Sequence, residues 1–269
     1  MSADDRAVLF DVDGTLVDTP GGMLGVLRAV LDESGHDVAD DLVRRTIGRP
    51  LAASFAGLLF LPQDHPDVAH AVARARALFT ETVIPSAADL VFPGIPELLA
   101  ELRAQGRPLA VVTSKVRPSA VELLGAAGLL DAFDTLSCHG MAERGKPHAD
   151  LALLAAGALG VPPGRCVVVG DAVDDVRMAS AAGMDAYGVD FGVATRAELV
   201  AAGALTVVGS VAELHDLVSP SAATTILAEH FRAQPLARFT APTPPYYQYE
   251  GVGAANRGTT WTTELPDKG

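Results

Sequence analysis

The sequence predicts an α/β fold in which a parallel sheet forms the core and a helical cap is inserted after the first strand. Short apolar runs, such as CVVV at residues 166–169, alternate with helical patterns along the chain. This alternation is typical of a parallel sheet that is covered by helices on both faces. After the first run, residues 18–85 carry several helical patterns but no convincing strand.

Six apolar runs are predicted to be the strands of the sheet, at residues 7–10, 109–112, 133–136, 166–169, 186–189 and 205–208. Segments with helical spacing separate them. In IPELLAELRAQ, residues 95–105, apolar residues recur at i, i+3, i+4 and i+7, and the pattern stops at Gly106. The order of strands and helices therefore predicts a Rossmann-like sheet that binds its ligand beyond the carboxyl ends of the strands.

The predicted insertion contains four helical stretches, at residues 23–34, 41–47, 52–60 and 68–83. An insertion that leaves and returns near a strand end would lie over the ligand crevice as a lid. We therefore divide the chain into a core, residues 1–17 and 86–218, and a helical cap, residues 18–85. Residues 219–269 form a C-terminal extension that is partly irregular. It is rich in Pro, Gly and Thr, and it holds a short helical pattern, three of the four tyrosines and the only tryptophan, Trp261.

Composition and charge exclude several classes of protein. The formal net charge of −13 argues against an extended nucleic-acid surface, because clustered Lys and Arg bind phosphate backbones. No apolar run reaches the roughly 18 residues of a membrane span, and the start MSADDRAVLF lacks the pattern of a signal peptide. Cys138 and Cys166 are too few for a disulfide framework. We expect a cytoplasmic protein that binds neither nucleic acid nor membrane.

Polar residues form four clusters that follow predicted strands or lie in a loop between them. The clusters are Asp11 to Thr15 in VLFDVDGT, Thr113 and Ser114 after LAVV, Lys146 in RGKPHAD, and Asp171 to Asp175 in GDAVDD. One such cluster alone would indicate only a turn or a helix cap. Because the ends of adjacent parallel strands converge, four clusters at successive strand ends predict one shared crevice.

Several carboxylates in one crevice repel one another unless a cation joins them. A hard divalent ion with oxygen ligands satisfies them best, and Mg²⁺ suits a site that also binds phosphate. This prediction gives a reason for the pair of carboxylates, Asp11 and Asp13, at the end of an apolar strand, where unpaired charges are costly.

The four clusters together resemble the four motifs of the haloacid dehalogenase superfamily. The resemblance rests on DVDGT, the Thr after a hydrophobic strand, the Lys of GKP and the sequence GDAVDD. Their order and spacing look most like the phosphoglycolate phosphatase-like branch, whose helical C1-type cap follows the first motif. The resemblance covers residues 6–218, and it implies a Mg²⁺-dependent phosphatase acting on a small-molecule phosphomonoester.

The resemblance implies a role for each motif residue. Asp11 would attack phosphorus and become an aspartyl phosphate, a route that is open to carboxylates. Asp13 would protonate the leaving oxygen and then deprotonate water, which contributes about 10²- to 10⁴-fold to the rate. Thr113 would hold a phosphoryl oxygen, and Lys146 would neutralise charge on the nucleophile and the transferring group.

The remaining implied residues bind phosphate or metal. Backbone amides of Thr15 and Ser114, together with Gly14, would contact the phosphate. Apart from the resemblance, Arg49 in IGRP between cap helices could reach an anionic substrate, with a solvated arginine as the alternative interpretation. Mg²⁺ would be held by Asp11, the carbonyl of Asp13 and Asp171, with Asp175 either binding the ion directly or orienting the other ligands. Lys115 could also touch the substrate, although an exposed lysine at a helix start is the simpler interpretation.

Other functions stay open from the sequence. A phosphomutase of the same family would use the same aspartate but return the phosphoryl group to a second hydroxyl. A phosphonate hydrolase would need a cap lysine, and no lysine precedes Lys115. A non-catalytic adaptor would use the aromatic C-terminal tail to bind a partner, and a homodimer is also compatible with the sequence.

Overall fold

The computed structural model describes residues 6–219, and its centre is a six-stranded parallel sheet. The strands are β1 (Ala7–Phe10), β2 (Leu109–Thr113), β3 (Thr135–Cys138), β4 (Cys166–Gly170), β5 (Asp185–Val189) and β6 (Thr206–Val208). They are arranged in the order β3-β2-β1-β4-β5-β6. The first strand along the chain therefore lies in the middle of the sheet, where all four of its residues are buried.

Four α-helices lie between β1 and the helix that directly precedes β2, and we call them the inserted helices. They are α1 (Pro20–Glu33), α2 (Asp40–Arg44), α3 (Leu51–Leu59) and α4 (Pro66–Thr82). The helices that alternate with the later strands are α5 (Ile95–Ala104), α6 (Arg117–Ala126), α7 (Asp150–Leu159), α8 (Val173–Ala181), α9 (Arg196–Ala202) and α10 (Val211–Val218).

The predicted α/β fold class is confirmed, and five of the six predicted strands match within one residue at each end. The third strand lies two residues later than predicted, at Thr135–Cys138 instead of 133–136. Phe133 and Asp134 precede it, and Asp134 is bonded to the start of β2 by its carboxylate, which accepts the Leu109 backbone N–H at 2.9 Å. The division into core and cap stays a prediction, and the predictions for the C-terminal extension lie outside the described residues.

The two faces of the sheet build two separate apolar layers. Side chains alternate along β1, so Val8 and Phe10 join one layer while Ala7 and Leu9 join the other. The Val8 and Phe10 layer continues into α5, α6 and the inserted helices, including Phe55 and Leu31. The other layer is built on α7, α8 and α9. The inserted helices therefore share a continuous core with one face of the sheet.

Strand register brings the polar clusters to one edge. Phe10 lies opposite Val111 on one side and Val169 on the other. Asp11 and Asp171, which follow β1 and β4, and Thr113, the last residue of β2, consequently lie at the same edge of the sheet. Across residues 6–219, the helices are too short or too polar to span a lipid bilayer.

Candidate active site

Asp11 lies at the centre of the converging strand ends. Its backbone N–H donates to the Val169 carbonyl at 2.9 Å, which extends the pairing of β1 with β4 by one residue. The Asp11 side chain is buried, and one carboxylate oxygen accepts a hydrogen bond from Lys146 Nζ at 2.7 Å. Burial raises the pKa of Asp11 to about 7; the Lys146 ammonium opposes that shift, while the carboxylates of Asp175 and Asp13 add to it.

Lys146 connects Asp11 to Asp175. Its side chain is only 4% exposed, and its ammonium also donates to Asp175 Oδ1. Burial by itself lowers the pKa of Lys146, but the two carboxylates outweigh burial and raise it above the ordinary value. Asp175 is held from its other side by the Ala172 backbone N–H at 3.0 Å, at the start of α8. The ammonium is therefore fixed between two carboxylates that are far apart in the sequence.

Asp171 and Asp175 are the most enclosed of the predicted metal ligands. One carboxylate oxygen of Asp171 accepts from the Thr15 hydroxyl at 2.9 Å, and the other accepts from the Val193 backbone N–H at 2.8 Å. Burial first, and then the charges of Asp11 and Asp175, raise the pKa of Asp171 well above its ordinary value. An ionised Asp171 is thus costly in the protein alone, and a nearby cation would remove that cost.

A divalent metal ion fits this group of carboxylates. Asp11, Asp171 and Asp175 each offer an oxygen atom, and these atoms lie within 4.8 Å of one another. All three residues are buried, and oxygen donors of this kind suit a hard divalent cation such as Mg²⁺. The fourth predicted ligand is the backbone carbonyl of Asp13. The positions of the three carboxylates do not test that part of the prediction.

Asp13 has partners of its own. Its Oδ1 atom accepts a hydrogen bond from the Thr19 hydroxyl and lies 3.1 Å from the Lys115 ammonium. That ammonium also lies over the Phe79 ring of α4, 4.3 Å from the ring centroid. Only 11% of the Lys115 side chain is exposed, so the interpretation of Lys115 as an exposed helix-start lysine is wrong.

A cavity of about 120 Å³ opens in front of Asp11 and Asp13. The sheet side contributes Thr113, Ser114 and Lys115. The inserted helices and their loops contribute an apolar wall made of Met23, Leu27, Ile47, Leu51 and Phe79. A ligand in this cavity would contact polar groups on the sheet side and, on the side of the inserted helices, the apolar wall together with polar side chains such as Arg49 and Arg76. A mixture of this kind is usual for a small-molecule site.

The structure brings most of the predicted site residues together. Asp11, Asp13, Thr113, Ser114 and Arg49 line the cavity, with Arg49 exposed at the loop between α2 and α3. Lys146, Asp171 and Asp175 are joined to Asp11 through the ion pairs and the carboxylate cluster. The Thr113 hydroxyl oxygen accepts the Lys115 backbone N–H at 3.1 Å, which leaves its hydrogen free to donate to a ligand.

Gly14 and Thr15 are placed differently from the prediction that they contact phosphate. Neither residue lines the cavity. The Gly14 N–H donates to Val17 O at 2.8 Å and the Thr15 N–H to Val12 O at 3.3 Å, so the turn itself uses both amides. Thr15 instead orients Asp171 through its side chain, and Gly14 leaves room for that carboxylate, since a Cβ there would lie 2.2 Å from Asp171 Oδ2.

Three contacts of the site were not predicted from the sequence. Thr19 orients Asp13, the Val193 amide orients Asp171, and Gly192 allows the approach because a Cβ there would also lie 2.2 Å from Asp171 Oδ2. Thr19 has a weak sequence signal, because it precedes Pro20 where a helix begins. The loop that contains Gly192 and Val193 has no such signal in the sequence, because only the fold brings this loop to the end of β4.

Comparison with known proteins agrees with this geometry. The family model for haloacid dehalogenase-like hydrolases matches residues 6–183. The "Probable phosphatase IndB" of Dickeya dadantii (strain 3937) is 43% identical over 208 residues, which are 77% of this chain and 90% of that protein. A phosphoglycolate phosphatase of Chromobacterium violaceum is 32% identical over 222 residues, covering 79% and 96% of the two chains. The crystal structure of a haloacid dehalogenase-like hydrolase from Bacteroides fragilis superposes with a TM-score of 0.71 at 27% identity, over 78% of this chain and 99% of that one.

Proposed function

The chain belongs to the haloacid dehalogenase-like hydrolases, and on that premise we propose that it is a Mg²⁺-dependent phosphatase acting on a small-molecule phosphomonoester through an aspartyl phosphate on Asp11. Relatives named as phosphatases support the choice of phosphoester over halide. The observation that carries the proposal is the position of Asp11: its buried carboxylate lines the cavity, is paired with Lys146 and has Asp13 beside it.

In the first step, an oxygen of Asp11 attacks phosphorus and the bond from phosphorus to the ester oxygen breaks. Asp13 gives its proton to that leaving oxygen, so the organic part departs as a neutral alcohol. The Lys146 ammonium offsets the negative charge on Asp11 and on the transferring group. The Thr113 hydroxyl donates its hydrogen to a phosphoryl oxygen. The hydroxyl oxygen is oriented by the hydrogen bond that it accepts from the Lys115 backbone N–H.

In the second step, water attacks the phosphorus of the aspartyl phosphate and gives its proton to Asp13. The bond between phosphorus and Asp11 breaks, inorganic phosphate leaves and both carboxyl groups return to their starting states. A Mg²⁺ ion held by Asp11, Asp171 and Asp175 would supply charge neutralisation for the phosphoryl oxygens. The apolar wall of the inserted helices keeps bulk water away from the ester.

The test is phosphate release from a panel of small phosphomonoesters with the wild type and with Asp11→Asn. The substitution removes the nucleophile while preserving shape, and we expect turnover to fall by about 10⁴-fold or more. Asp18→Asn is the matched control because Asp18 belongs to the same segment but is exposed, and its activity should stay within about two-fold of wild type. Undiminished phosphate release by Asp11→Asn would contradict the proposal.

The same assay separates the phosphatase from a phosphomutase. A phosphatase releases inorganic phosphate in step with consumption of the ester. A mutase would instead convert one sugar phosphate into an isomer with little phosphate released. Phosphate and ester should therefore be quantified together for each sugar phosphate of the panel.

A further inference from the structure

The apolar wall of the cavity keeps surface that the protein's own packing does not cover. Leu27 of α1 and Phe79 of α4 are buried, whereas Met23, Ile47 and Leu51 are only partly buried where they pack against the core layer. These three side chains also line the cavity. A ligand that removes this apolar surface from water is stabilised in proportion to the area that it covers.

Hydroxyl groups that line the cavity from the same part of the chain, residues 19–82, already donate their hydrogens within the protein. The hydroxyls of Thr19, Thr46, Ser54 and Thr80 donate to Asp13 Oδ1, Val43 O, Thr46 O and Glu122 Oε2, respectively. A hydroxyl has one hydrogen to donate. These four groups can therefore accept a hydrogen bond from a ligand but cannot donate one.

The charged side chains on this side of the cavity stay in contact with water. Arg49 and Arg76 line the cavity, but both residues are exposed. An exposed guanidinium gains little from a ligand group because water already solvates it. Other polar side chains of the cavity, including Ser114, Ser119 and His139, come from the sheet side, to which Asp11 also belongs.

This distribution favours an organic part that is apolar where it meets the inserted helices. An alkyl or aryl group there replaces water on Met23, Ile47 and Leu51 without losing a hydrogen bond. A sugar or another polyhydroxylated group would exchange its bonds to water for a wall with no hydroxyl donor, and unpaired polar groups are costly once water is excluded. The phosphate end lies at Asp11 in both cases, so the difference between substrates arises at the wall.

We propose that the apolar wall selects phosphate esters whose organic part is apolar, such as short alkyl or aryl phosphates, over esters of sugars and other polyhydroxylated alcohols. The proposal rests on the phosphatase function above and deepens it by naming the substrate class. Met23 and Leu51 are the specificity-determining residues to test, because they come from different helices, α1 and α3, and both keep uncovered surface in the cavity.

The experiment measures kcat/KM, with Mg²⁺ present, for ethyl, n-propyl and n-butyl phosphate. It includes 3-hydroxypropyl phosphate, which has as many non-hydrogen atoms as the butyl ester. Each buried methylene group should raise kcat/KM about four-fold, mainly through a lower KM. The butyl ester should exceed the hydroxypropyl ester by about 10- to 100-fold, because the terminal hydroxyl meets no hydroxyl donor at the wall.

Two variants of the wall keep the size of the side chain and make it polar, Leu51→Asn and Met23→Gln. Both should lower the ratio of kcat/KM for butyl and ethyl phosphate from about 15-fold to below about 4-fold, while ethyl phosphate turnover changes less. Leu42→Asn is the matched control, because Leu42 belongs to α2 but does not line the cavity, and it should leave the ratio unchanged.

The outcomes separate this inference from the function on which it rests. Equal kcat/KM across the alkyl series, a preference for the hydroxypropyl ester, or an equal loss on ethyl and butyl phosphate in both wall variants would overturn the inference. Hydrolysis of sugar phosphates or phosphoglycolate, with no hydrolysis of any alkyl ester, would also overturn it and would leave the proposed function intact. Hydrolysis that survives Asp11→Asn, or no phosphate release from any ester tested, would instead overturn the proposed function.

Discussion

Two carboxylates of the site keep their geometry because glycines packed against them have no side chain. Asp171 fits beneath the loop after β5 only because Gly192 has no side chain there, and Gly170 gives the same freedom to Asp175, whose Cγ would lie 2.4 Å from a Cβ at that position. Both carboxylates are then held by backbone N–H groups. At this scale the glycines are as necessary to the site as the acids.

Gly192→Ala should therefore damage the site and not only the loop. The added methyl would lie 2.2 Å from Asp171 Oδ2, so the carboxylate or the loop must move, at a cost of about 1 to 3 kcal/mol of stability. We expect a higher Mg²⁺ requirement in the phosphatase assay and a lower urea midpoint. Gly164→Ala is the control, since its Cβ would meet no atom within 4 Å, and it should change stability by less than about 0.5 kcal/mol. Equal behaviour of the two variants would refute this account of Gly192.

At the scale of elements, the inserted helices are stabilised by the face of the sheet they adjoin. Leu31 of α1 and Phe55 of α3 are fully buried and belong to the same apolar layer as Phe10 of β1. The paired Arg74 and Glu33 side chains also join α4 to α1, but both are substantially exposed, so this ion pair contributes little. Apolar packing therefore decides whether the cavity has its second wall.

Leu31→Ala tests this dependence. It leaves a cavity in the shared layer and should lower the free energy of unfolding by about 2 to 5 kcal/mol. Leu42→Ala is the matched control, because Leu42 is 47% exposed and its truncation should cost less than about 0.5 kcal/mol. Urea unfolding followed by circular dichroism should show a single transition that shifts in Leu31→Ala. Two transitions, of which only one shifts, would mean that the inserted helices unfold independently of the sheet.

At the scale of the whole molecule, the fold concentrates negative charge at one place. Asp11 comes from the start of the chain and Asp171 and Asp175 from its later part, so the cluster exists only in the folded state. Lys146 neutralises part of that charge, while burial and then the charges of Asp11 and Asp175 raise the pKa of Asp171. A ligand that binds the folded state alone stabilises it by mass action.

Mg²⁺ should consequently raise the melting temperature of the wild type. Saturation to about 100 times Kd corresponds to roughly 2.7 kcal/mol, which is several degrees for a chain of this size. Asp171→Asn should lose the response to Mg²⁺, because it removes the charged ligand; the amide also keeps only one acceptor for the two donors, the Thr15 hydroxyl and the Val193 N–H, that hold the carboxylate. NaCl at equal ionic strength is the control in a calorimetric scan. An unchanged Mg²⁺ shift in Asp171→Asn would contradict the assignment of this residue to the metal site.

Much of the site could be predicted from local sequence patterns. Asp11, Asp13, Thr113, Lys146 and Asp171 follow strands or lie in a loop whose position the alternation of apolar runs and helices indicates. The burial of Lys115 could not be predicted, because an ammonium next to a helix start is exposed unless a ring from another element covers it. The internal use of the Gly14 and Thr15 amides was missed because it depends on the exact path of the turn.

The sequence by itself determined the order of strands and helices, the insertion after β1 and the identity of the polar groups at the strand ends. These follow from periodicity and residue chemistry, which act over a few neighbouring residues. Only the tertiary structure decided which oxygen pairs with which cation, that Gly192 and Val193 enclose Asp171, and that Phe79 covers Lys115. Such contacts join residues that are far apart in the chain, and their geometry depends on how whole elements pack.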